Sequence, residues 1–268
     1  MHLNRKKARL SELLDRLAAR LRGILEEAGE LATLAGRSVW ALLKPPYEIG
    51  AWVAQAEQIG VRSLGVACVT TIFTGMVMAL QTALSLPGLG VKYYIGTVVS
   101  KSLTRELGPV LVALIVGGRI GAGMTAELGT MKVTEQIDAM RAMAADPIKK
   151  LVAPKLAASL VMMPCLVIIG DALGILGGLL IGVMQLQLPA GLYINDVLSS
   201  LTIGDVTSGV GKSIFFAFFI TIVACHQGLK ARGGADGVGR ATTNTVVMAS
   251  IFVLISDFFL TKLFFIFG

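Results

Sequence analysis

The residues of this chain that could do chemistry are ionisable side chains inside long apolar runs. A charge in an apolar environment is costly, so such groups are paired, or they line a binding site. These groups are the adjacent pair Arg105-Glu106 and the single residues Arg119, Asp171, Lys212, Asp257 and Lys262. The sequence therefore predicts polar contacts between apolar segments.

Arg105 and Glu106 are the leading candidates for ligand binding. Adjacent residues on a helix point about 100° apart, so each is expected to pair with another element rather than with its neighbour. The pair could bind an anionic headgroup or form structural ion pairs, and the spacing leaves both open. Asp257 and Lys262 are expected to pair with Arg119, unless Lys262 extends toward water.

Two short stretches look like nucleotide-binding motifs but lack the required context. Ser208-Gly-Val-Gly-Lys-Ser213 ends like a phosphate-binding loop, yet Val206 stands where that loop needs glycine. Gly121-Ala-Gly-Met-Thr-Ala126 resembles a dinucleotide turn, but no βαβ pattern surrounds it. With no nucleophile–base pair and no metal-ligand spacing, we expect no catalytic residue, no metal, no cofactor and no ATP binding by this chain.

The composition is that of a membrane protein. The 268 residues are 54% hydrophobic and 15% charged, whereas soluble domains carry about a quarter charged residues. The three cysteines all lie in apolar runs, so no disulfide framework is available. A soluble enzyme, a nucleic-acid binder and a secreted disulfide scaffold are therefore disfavoured, and an all-α integral membrane protein is predicted.

Five apolar segments are long enough for helices that cross about 30 Å of hydrocarbon. The predicted spans are Ser63 to Leu86, Leu107 to Ala126, Leu156 to Val183, Val206 to Cys225 and Thr245 to Phe267. The second can be extended back to Ile95, with Pro109 as a kink.

The basic residues orient these spans. Residues 1–62, 127–155 and 226–244 together hold 18 of the 24 Lys and Arg residues. The positive-inside rule places these segments in the cytoplasm. The N-terminus is therefore predicted to be cytoplasmic and the C-terminus to lie on the outer side.

The N-terminal region, residues 1–55, is predicted to contain an amphipathic helix. Apolar residues recur at three- and four-residue steps from Leu10 to Leu31, and the seven Lys and Arg residues from Arg5 to Arg22 give the rest of the helix a basic character. Such a helix would lie in the membrane interface. The alternative is a solvated helix packed on a partner protein.

The third span carries four glycines at four-residue spacing, Gly170, Gly174, Gly178 and Gly182. On a helix they form a groove that lets another helix approach closely. Asp171, beside this groove, is expected to face protein.

The segment from Glu127 to Met143, between spans two and three, is predicted to form a short amphipathic cytoplasmic helix. Val133, Ile137 and Met140 would share one face of it. From spacing alone, a docking element for another protein and an ordinary interfacial helix are equally favoured.

One long stretch resembles a known family. It runs from Arg105-Glu-Leu-Gly-Pro109 to Val133-Thr-Glu-Gln-Ile-Asp-Ala-Met140 and is similar to the MlaE/YrbE family of ABC-transporter permeases. Asp146-Pro147, Pro154 and Arg240-Ala-Thr-Thr-Asn-Thr-Val246 look like further parts of the same pattern. The resemblance covers roughly residues 60 to 266, so residues 56–268 are predicted to form the permease transmembrane domain.

The resemblance implies a homodimer in the bacterial inner membrane, with an interfacial N-terminal helix and five spans in each subunit. It implies separate cytoplasmic ATPase subunits that bind the ATP, and an MCE-domain lipid-binding partner on the outer side. The transported molecules would be phospholipids, moved between the inner membrane and the outer membrane system to maintain lipid asymmetry, in either direction.

The resemblance also implies functional roles for individual residues. The ATPase-coupling residues would be Glu127, Met131, Lys132, Glu135, Ile137, Asp138 and Met140. The lipid-binding residues would be Phe73, Met76, Val77, Leu80, Gln81, Arg105 and Glu106, with Arg105 on the phosphate and Glu106 holding it in place.

Two other classes remain as alternatives. A secondary transporter of lipids or small molecules would work without an ATPase, but it should show repeated halves with broken helices, and five unlike spans show none. A membrane-embedded lipid-modifying enzyme would need clustered Asp or His residues, whereas Asp171 and Asp257 are isolated in the sequence.

Overall fold

The structure is a computed structural model that describes residues 2–45, 48–85 and 94–267. These residues form helices and no strand, as predicted for an all-α protein. The α-helices are α1 (His2–Leu43), α2 (Ile49–Ala56), α3 (Arg62–Ser85), α4 (Ile95–Ser102), α5 (Gly108–Val133), α6 (Gln136–Ala142), α7 (Ala153–Met184), α8 (Ala190–Ser200), α9 (Ile203–Lys230) and α10 (Gly234–Phe267). Single π-helical turns join α2 to α3, α4 to α5, and lead into α7.

Five helical segments are long and apolar enough to cross a membrane, which confirms the predicted number. They are Ile49–Ser85, Ile95–Val133, Ile148–Met184, Ile203–Lys230 and Gly234–Ile266, called spans 1 to 5 here. The extension of span 2 back to Ile95 is confirmed. Each span begins before its predicted apolar start because polar residues continue the helix beyond the apolar core; the predicted end of the first span, Leu86, lies outside the described residues.

Spans 1 and 3 touch through their glycines. A Cβ atom at Gly75 would collide with the Gly174 carbonyl, and one at Gly170 would lie 2.9 Å from Thr71 Cγ2. Gly177 faces the Ile72 carbonyl in the same way. The predicted close approach along the glycine groove is therefore confirmed, and Asp171 is buried against protein as expected.

The central core lies where spans 2 to 5 meet. Val116, Met163, Phe216 and Val253, one from each of these spans, are buried together in one apolar cluster. Spans 2 and 4 and the inner face of span 5 are thus held as a bundle, and side chains on their outer faces remain exposed.

The predicted N-terminal helix is present as α1. Its C-terminal half contacts the bundle through Leu34, which is buried beside Ile148 and Ile222. Glu30 forms an ion pair with Lys230 and a hydrogen bond with His226 at the end of span 4. The helix ends at Leu43, two residues before Pro45. The side chains of residues 2–21 lie outside the description, and the division at residue 55 stays a prediction.

The segment after span 2 differs from the single helix predicted over Glu127 to Met143. Span 2 itself continues to Val133, and the separate helix α6 starts only at Gln136. Between them Glu135 has φ +61°, in the left-handed region, which interrupts the helix. The spacing suggested one helix because no glycine or proline stands at the break between Val133 and Gln136.

Candidate functional site

A fully buried lysine lies at the centre of a polar cluster between spans 2, 4 and 5. Lys212 Nζ lies 2.5 Å from Glu106 Oε2 and 3.2 Å from Asp257 Oδ1. It also donates a hydrogen bond to Thr261 Oγ1 at 2.7 Å. We call these four residues the lysine cluster.

The lysine cluster holds two carboxylates around one ammonium group. The side chain of Lys212 is 0% exposed, whereas those of Glu106 and Asp257 are 40% and 22% exposed. Thr261 Oγ1 lies within hydrogen-bond distance of both Glu106 carboxylate oxygens. The cation therefore lies inside the bundle, and the acidic groups form the surface that faces outward.

The expected pairing of Asp257 with Arg119 is wrong. Asp257 points to Lys212, while Arg119 Nη1 donates to Ser63 Oγ at 2.7 Å. Lys262 is exposed, as its extension toward water requires. The pairs could not be read from spacing because each joins residues of different spans.

Arg105 is separate from the lysine cluster. Its Nε lies 3.4 Å from Asp205 Oδ1, and its side chain remains 45% exposed. Glu106 is bound to Lys212, so the expectation that Glu106 holds Arg105 in place is wrong. The prediction that each residue pairs with another element is confirmed: both form ion pairs with α9, and Glu106 also contacts Thr261 on α10.

The local sequence explains this divergence. Both residues lie in the π-helical turn Leu103–Leu107, where the Gly108 N–H bonds to the Leu103 carbonyl. Pro109 follows, and a proline has no N–H to donate to the preceding turn. Widened turns of this kind occur at functional sites, and here the turn directs Arg105 and Glu106 toward different neighbours.

Asp205 is itself fixed at the start of span 4. Thr202 accepts a hydrogen bond from the Asp205 N–H, and the Asp205 carboxylate accepts one from the Thr202 N–H at 2.9 Å. This reciprocal capping box satisfies free N–H groups at the helix start. Arg105 therefore contacts a carboxylate that is already held by two hydrogen bonds from Thr202.

The other predicted lipid-binding residues lie together on one face of α3. Phe73, Val77 and Gln81 are exposed, and Met76 and Leu80 are half-buried between them. The opposite face of α3, with Thr71, Gly75 and Ala79, packs on span 3. The structure thus groups the α3 residues into one apolar surface, whereas it engages Arg105 and Glu106 with spans 4 and 5.

The predicted coupling residues divide into anchors and exposed groups. Ile137 is fully buried. Glu127 is bound to the buried Lys155 at 2.6 Å, and Lys155 also donates to Gln55 at 3.2 Å. These residues hold the segment to the bundle. The remaining predicted residues, Met131, Lys132, Glu135, Asp138 and Met140, are exposed or half-buried.

Asp138 forms the ion pairs among the exposed residues of the segment after span 2. It accepts hydrogen bonds from Lys132 at 2.7 Å and from Arg141 at 3.1 Å, which connects α6 to the end of span 2. The hydrogen bond from Lys132 holds the pKa of the Asp138 carboxyl below its usual value. At neutral pH the charged pair is thus intact.

Sequence reasoning missed several residues of these sites. Lys155 and Gln55 were not connected with Glu127, and Lys212 was noted without a partner. A lysine inside an apolar run is the signal that could have found Lys212. The phosphate-loop look-alike, Ser208 to Ser213, lies within the continuous helix α9, so the look-alike was correctly dismissed.

Comparison with known proteins shows to which family the sequence is similar. The sequence model of the family described as Permease MlaE matches residues 52–263. A probable ABC transporter permease protein of Rickettsia typhi is 44% identical over 240 residues, which cover 90% of this chain and 93% of the relative.

Two relatives with lower sequence identity have more specific names. The intermembrane phospholipid transport system permease protein MlaE of Haemophilus influenzae is 39% identical, over 80% of this chain and 82% of its own length. The chloroplastic protein TRIGALACTOSYLDIACYLGLYCEROL 1 of Arabidopsis thaliana is 34% identical, over 87% of this chain and 66% of its own length. With most of its length matched by the family, this chain belongs to the MlaE permeases, the membrane-spanning transport subunits of ABC transporters in which the ATPase is a separate subunit.

Proposed function

We propose that this permease moves phospholipids between the bacterial inner membrane and an MCE-domain partner on the outer side. The observation that carries the proposal is the 39% identity to a permease named for intermembrane phospholipid transport. The geometry supports the proposal in two ways. The exposed apolar face on α3 suits acyl chains, and the half-exposed Arg105 in span 2 suits a phosphate.

The proposed orientation has the N-terminus in the cytoplasm and the C-terminus in the periplasm. The segments that hold 18 of the 24 basic residues are 1–62, 127–155 and 226–244, which include the N-terminal helix and the connections from span 2 to span 3 and from span 4 to span 5. Five spans place the two termini on opposite sides of the membrane. With the N-terminus in the cytoplasm, α6 is cytoplasmic and the lysine cluster lies toward the periplasm.

The functional unit is proposed to be a homodimer. Spans 1 and 5 expose long apolar faces, among them Phe73 and Val77 on α3, and Ile251 and Phe258 on α10. A lipid cavity between two copies would use the α3 face, Phe73, Met76, Val77, Leu80 and Gln81, as its apolar lining. Met76 and Leu80 can contact acyl chains without directional demands.

Arg105 is proposed as the phosphate contact. Its guanidinium has five N–H donors, and the one Asp205 contact leaves several of them free. Glu106 has a different part: with Lys212 and Asp257 it fixes the turn that presents Arg105.

The ATPase is proposed to dock on the exposed part of the segment after span 2. Glu135, Asp138 and the strongly exposed Met143 offer acidic and apolar contacts, while Ile137 and Glu127 tie the segment to the bundle. Movement of the ATPases on ATP binding would thereby reach spans 2 and 3.

The first experiment is a mild-detergent purification of the tagged protein expressed with its neighbouring genes, with mass spectrometry of proteins and lipids. We expect ATPase and MCE-domain subunits and bound phospholipid. A protein that purifies without an ATPase would instead support the secondary transporter.

Arg105→Ala tests the lipid site. We expect about tenfold less bound phospholipid, the cost of one charge-assisted hydrogen bond, with an unchanged ATPase content. Lys262→Ala, an exposed cation in span 5, is the matched control. Full phospholipid retention and transport by Arg105→Ala would remove Arg105 from the site.

Met143→Asp tests docking without touching an anchor. The variant should insert normally and lose copurifying ATPase, whereas Leu198→Asp on the opposite side of the membrane, at an equally exposed leucine, should retain it. Normal ATPase content in Met143→Asp would exclude this docking surface.

A further inference from the structure

A cavity of about 240 Å³ lies between the first part of span 1 and the cytoplasmic half of span 2. Two arginines line it, Arg62 and Arg119, together with Gln55 and Gln58. Buried Ile59 and Met124 form its apolar base. We call it the arginine cavity.

The two guanidinium groups have few partners. Arg119 donates to Ser63 Oγ at 2.7 Å and forms no ion pair, and Arg62 forms none either, within the ranges that the structure covers. The nearest acidic residue along α5, Glu127, is bound to Lys155 at 2.6 Å. The arginine cavity therefore concentrates two positive charges with no carboxylate paired to them.

Both arginines lie near the cytoplasmic ends of the apolar runs in their spans. Arg62 directly precedes the apolar run that starts at Ser63, and Arg119 precedes Ala126, the end of the apolar run of span 2, by seven residues. At 1.5 Å per residue Arg119 lies about 10 Å from that end. A cation inside the hydrocarbon is costly unless an anion meets it, and at its edge phosphate headgroups are within reach.

The surroundings suit a lipid better than a free ion. Val66 and Val69, on the turns of α3 that follow Arg62, are exposed and lead from the cavity toward the bilayer centre. Arginine binds phosphate oxygens in pairs, and the glutamine amides can bond glycerol or ester oxygens. An ammonium in the headgroup would be repelled by the second arginine, so the geometry favours a headgroup with net negative charge.

We propose that the arginine cavity binds the phosphate of an anionic phospholipid from the cytoplasmic leaflet. This site lies at the opposite end of the bundle from Arg105 and the α3 face of the proposed function. The two sites are independent, and either can exist without the other.

Photo-cross-linking in cells tests the proposal on the full chain. A benzophenone amino acid replaces Gln58, at the cavity, or Phe73, on the α3 face, in cells grown with ³²P-phosphate. Benzophenone inserts into C–H bonds, so inorganic phosphate gives no label, and ³²P that phospholipase releases comes from a lipid. In purified protein in phosphatidylcholine nanodiscs, added phosphatidylglycerol should label position 58.

Replacing both arginines by neutral residues tests whether their charges bind the lipid phosphate. With Arg62→Gln and Arg119→Gln, we expect label at position 58 to fall at least tenfold, the effect of losing charge-assisted hydrogen bonds, while label at position 73 is unchanged. Arg62→Lys with Arg119→Lys should keep most of the label. Equal labelling of the Gln variant, or labelling that excess inorganic phosphate abolishes, overturns the proposal.

A second variant blocks the cavity without removing a charge. Gly123 lines it, and a Cβ there would meet nothing within 4 Å, so Gly123→Leu fits the fold and fills the space. Gly65→Leu, also at an open helical glycine but outside the lining, is the control. We expect Gly123→Leu alone to lose label at position 58. A cross-linked protein dimer in place of lipid would show that a second copy fills the cavity, which overturns the proposal.

Absence of label at position 73 with label retained at position 58 would count against the lipid surface of the proposed function and leave this site standing. The converse result would count against this site alone.

Discussion

The lysine cluster and the arginine cavity differ in whether carboxylates of the protein compensate their cationic side chains. Lys212 is surrounded by Glu106 and Asp257, so its charge is met by the protein itself. Arg62 and Arg119 have no such partners among the described residues, and they line an open cavity. The first arrangement stabilises the fold, whereas the second leaves hydrogen-bond donors available to a ligand.

The two regions also differ in how many elements hold them. The lysine cluster joins span 2, span 4 and span 5, so its charges connect three helices. The arginine cavity lies between spans 1 and 2, and its lining residues form side-chain hydrogen bonds from Arg119 to Ser63 and from Lys155 to Gln55, with no ion pair to either arginine among the described residues. Mutations should therefore affect folding in the first region and ligand binding in the second.

The largest effect is expected from Lys212→Met. Loss of the cation leaves two partly buried carboxylates facing each other, and breaking a buried ion pair from one side costs about 3–5 kcal/mol. Unfolding in mixed detergent micelles should show this loss of free energy of unfolding. The triple variant Lys212→Met, Glu106→Gln, Asp257→Asn should recover more than half of it, because no unpaired charge remains. A triple variant as unstable as Lys212→Met would mean that packing, not charge, explains the loss.

Asp205→Ala should have an intermediate effect. It removes the capping box with Thr202 and the partner of Arg105, and lost caps cost about 0.5–2 kcal/mol. The same micelle titration measures it. Thr202→Ser keeps a capping hydroxyl and should stay near the parent protein; an equal loss in both variants would contradict the role of the cap.

Arg62→Gln with Arg119→Gln should change stability by less than about 1 kcal/mol in lipid-free detergent, since only the bond to Ser63 is lost. Added phosphatidylglycerol should raise the unfolding temperature of the parent protein but not of this variant, because a ligand that binds the folded state stabilises it. A large loss without lipid would mean that these arginines have protein partners, and the contrast with Lys212 would disappear.

The sequence was sufficient for the features that depend on neighbours in the chain. Apolar length determined the five spans, and helical geometry indicated that Arg105 and Glu106 do not pair with each other. Register also explains why Gly170, Gly174 and Gly178 of span 3 lie on one face and form a groove for another helix. Each of these needs only the local helix.

The rest depends on contacts that no local pattern contains. Glu106 and Lys212 are 106 positions apart, so their pairing follows from the packing of whole spans. The left-handed Glu135 is unusual for a residue with a side chain, and nothing near it in the sequence indicates a turn. The arginine cavity likewise needs Arg62 and Arg119 to meet across two spans.

The smallest effect is expected at Asp138, whose ion pairs are exposed to water, unlike those of Lys212. The hydrogen bond from Lys132 lowers the pKa of Asp138 in the folded protein, so its contribution is present above the ordinary aspartate pKa of about 3.9 and is lost as the pH falls through the lowered value. A spin label at Met143→Cys, in a background without the three native cysteines, should report constant mobility from neutral pH to about pH 4 and greater mobility below. Asp138→Asn should be mobile throughout and independent of pH. A midpoint above the ordinary aspartate value would show that Lys132 does not hold this carboxylate, and that the segment after span 2 is organised by Ile137 alone.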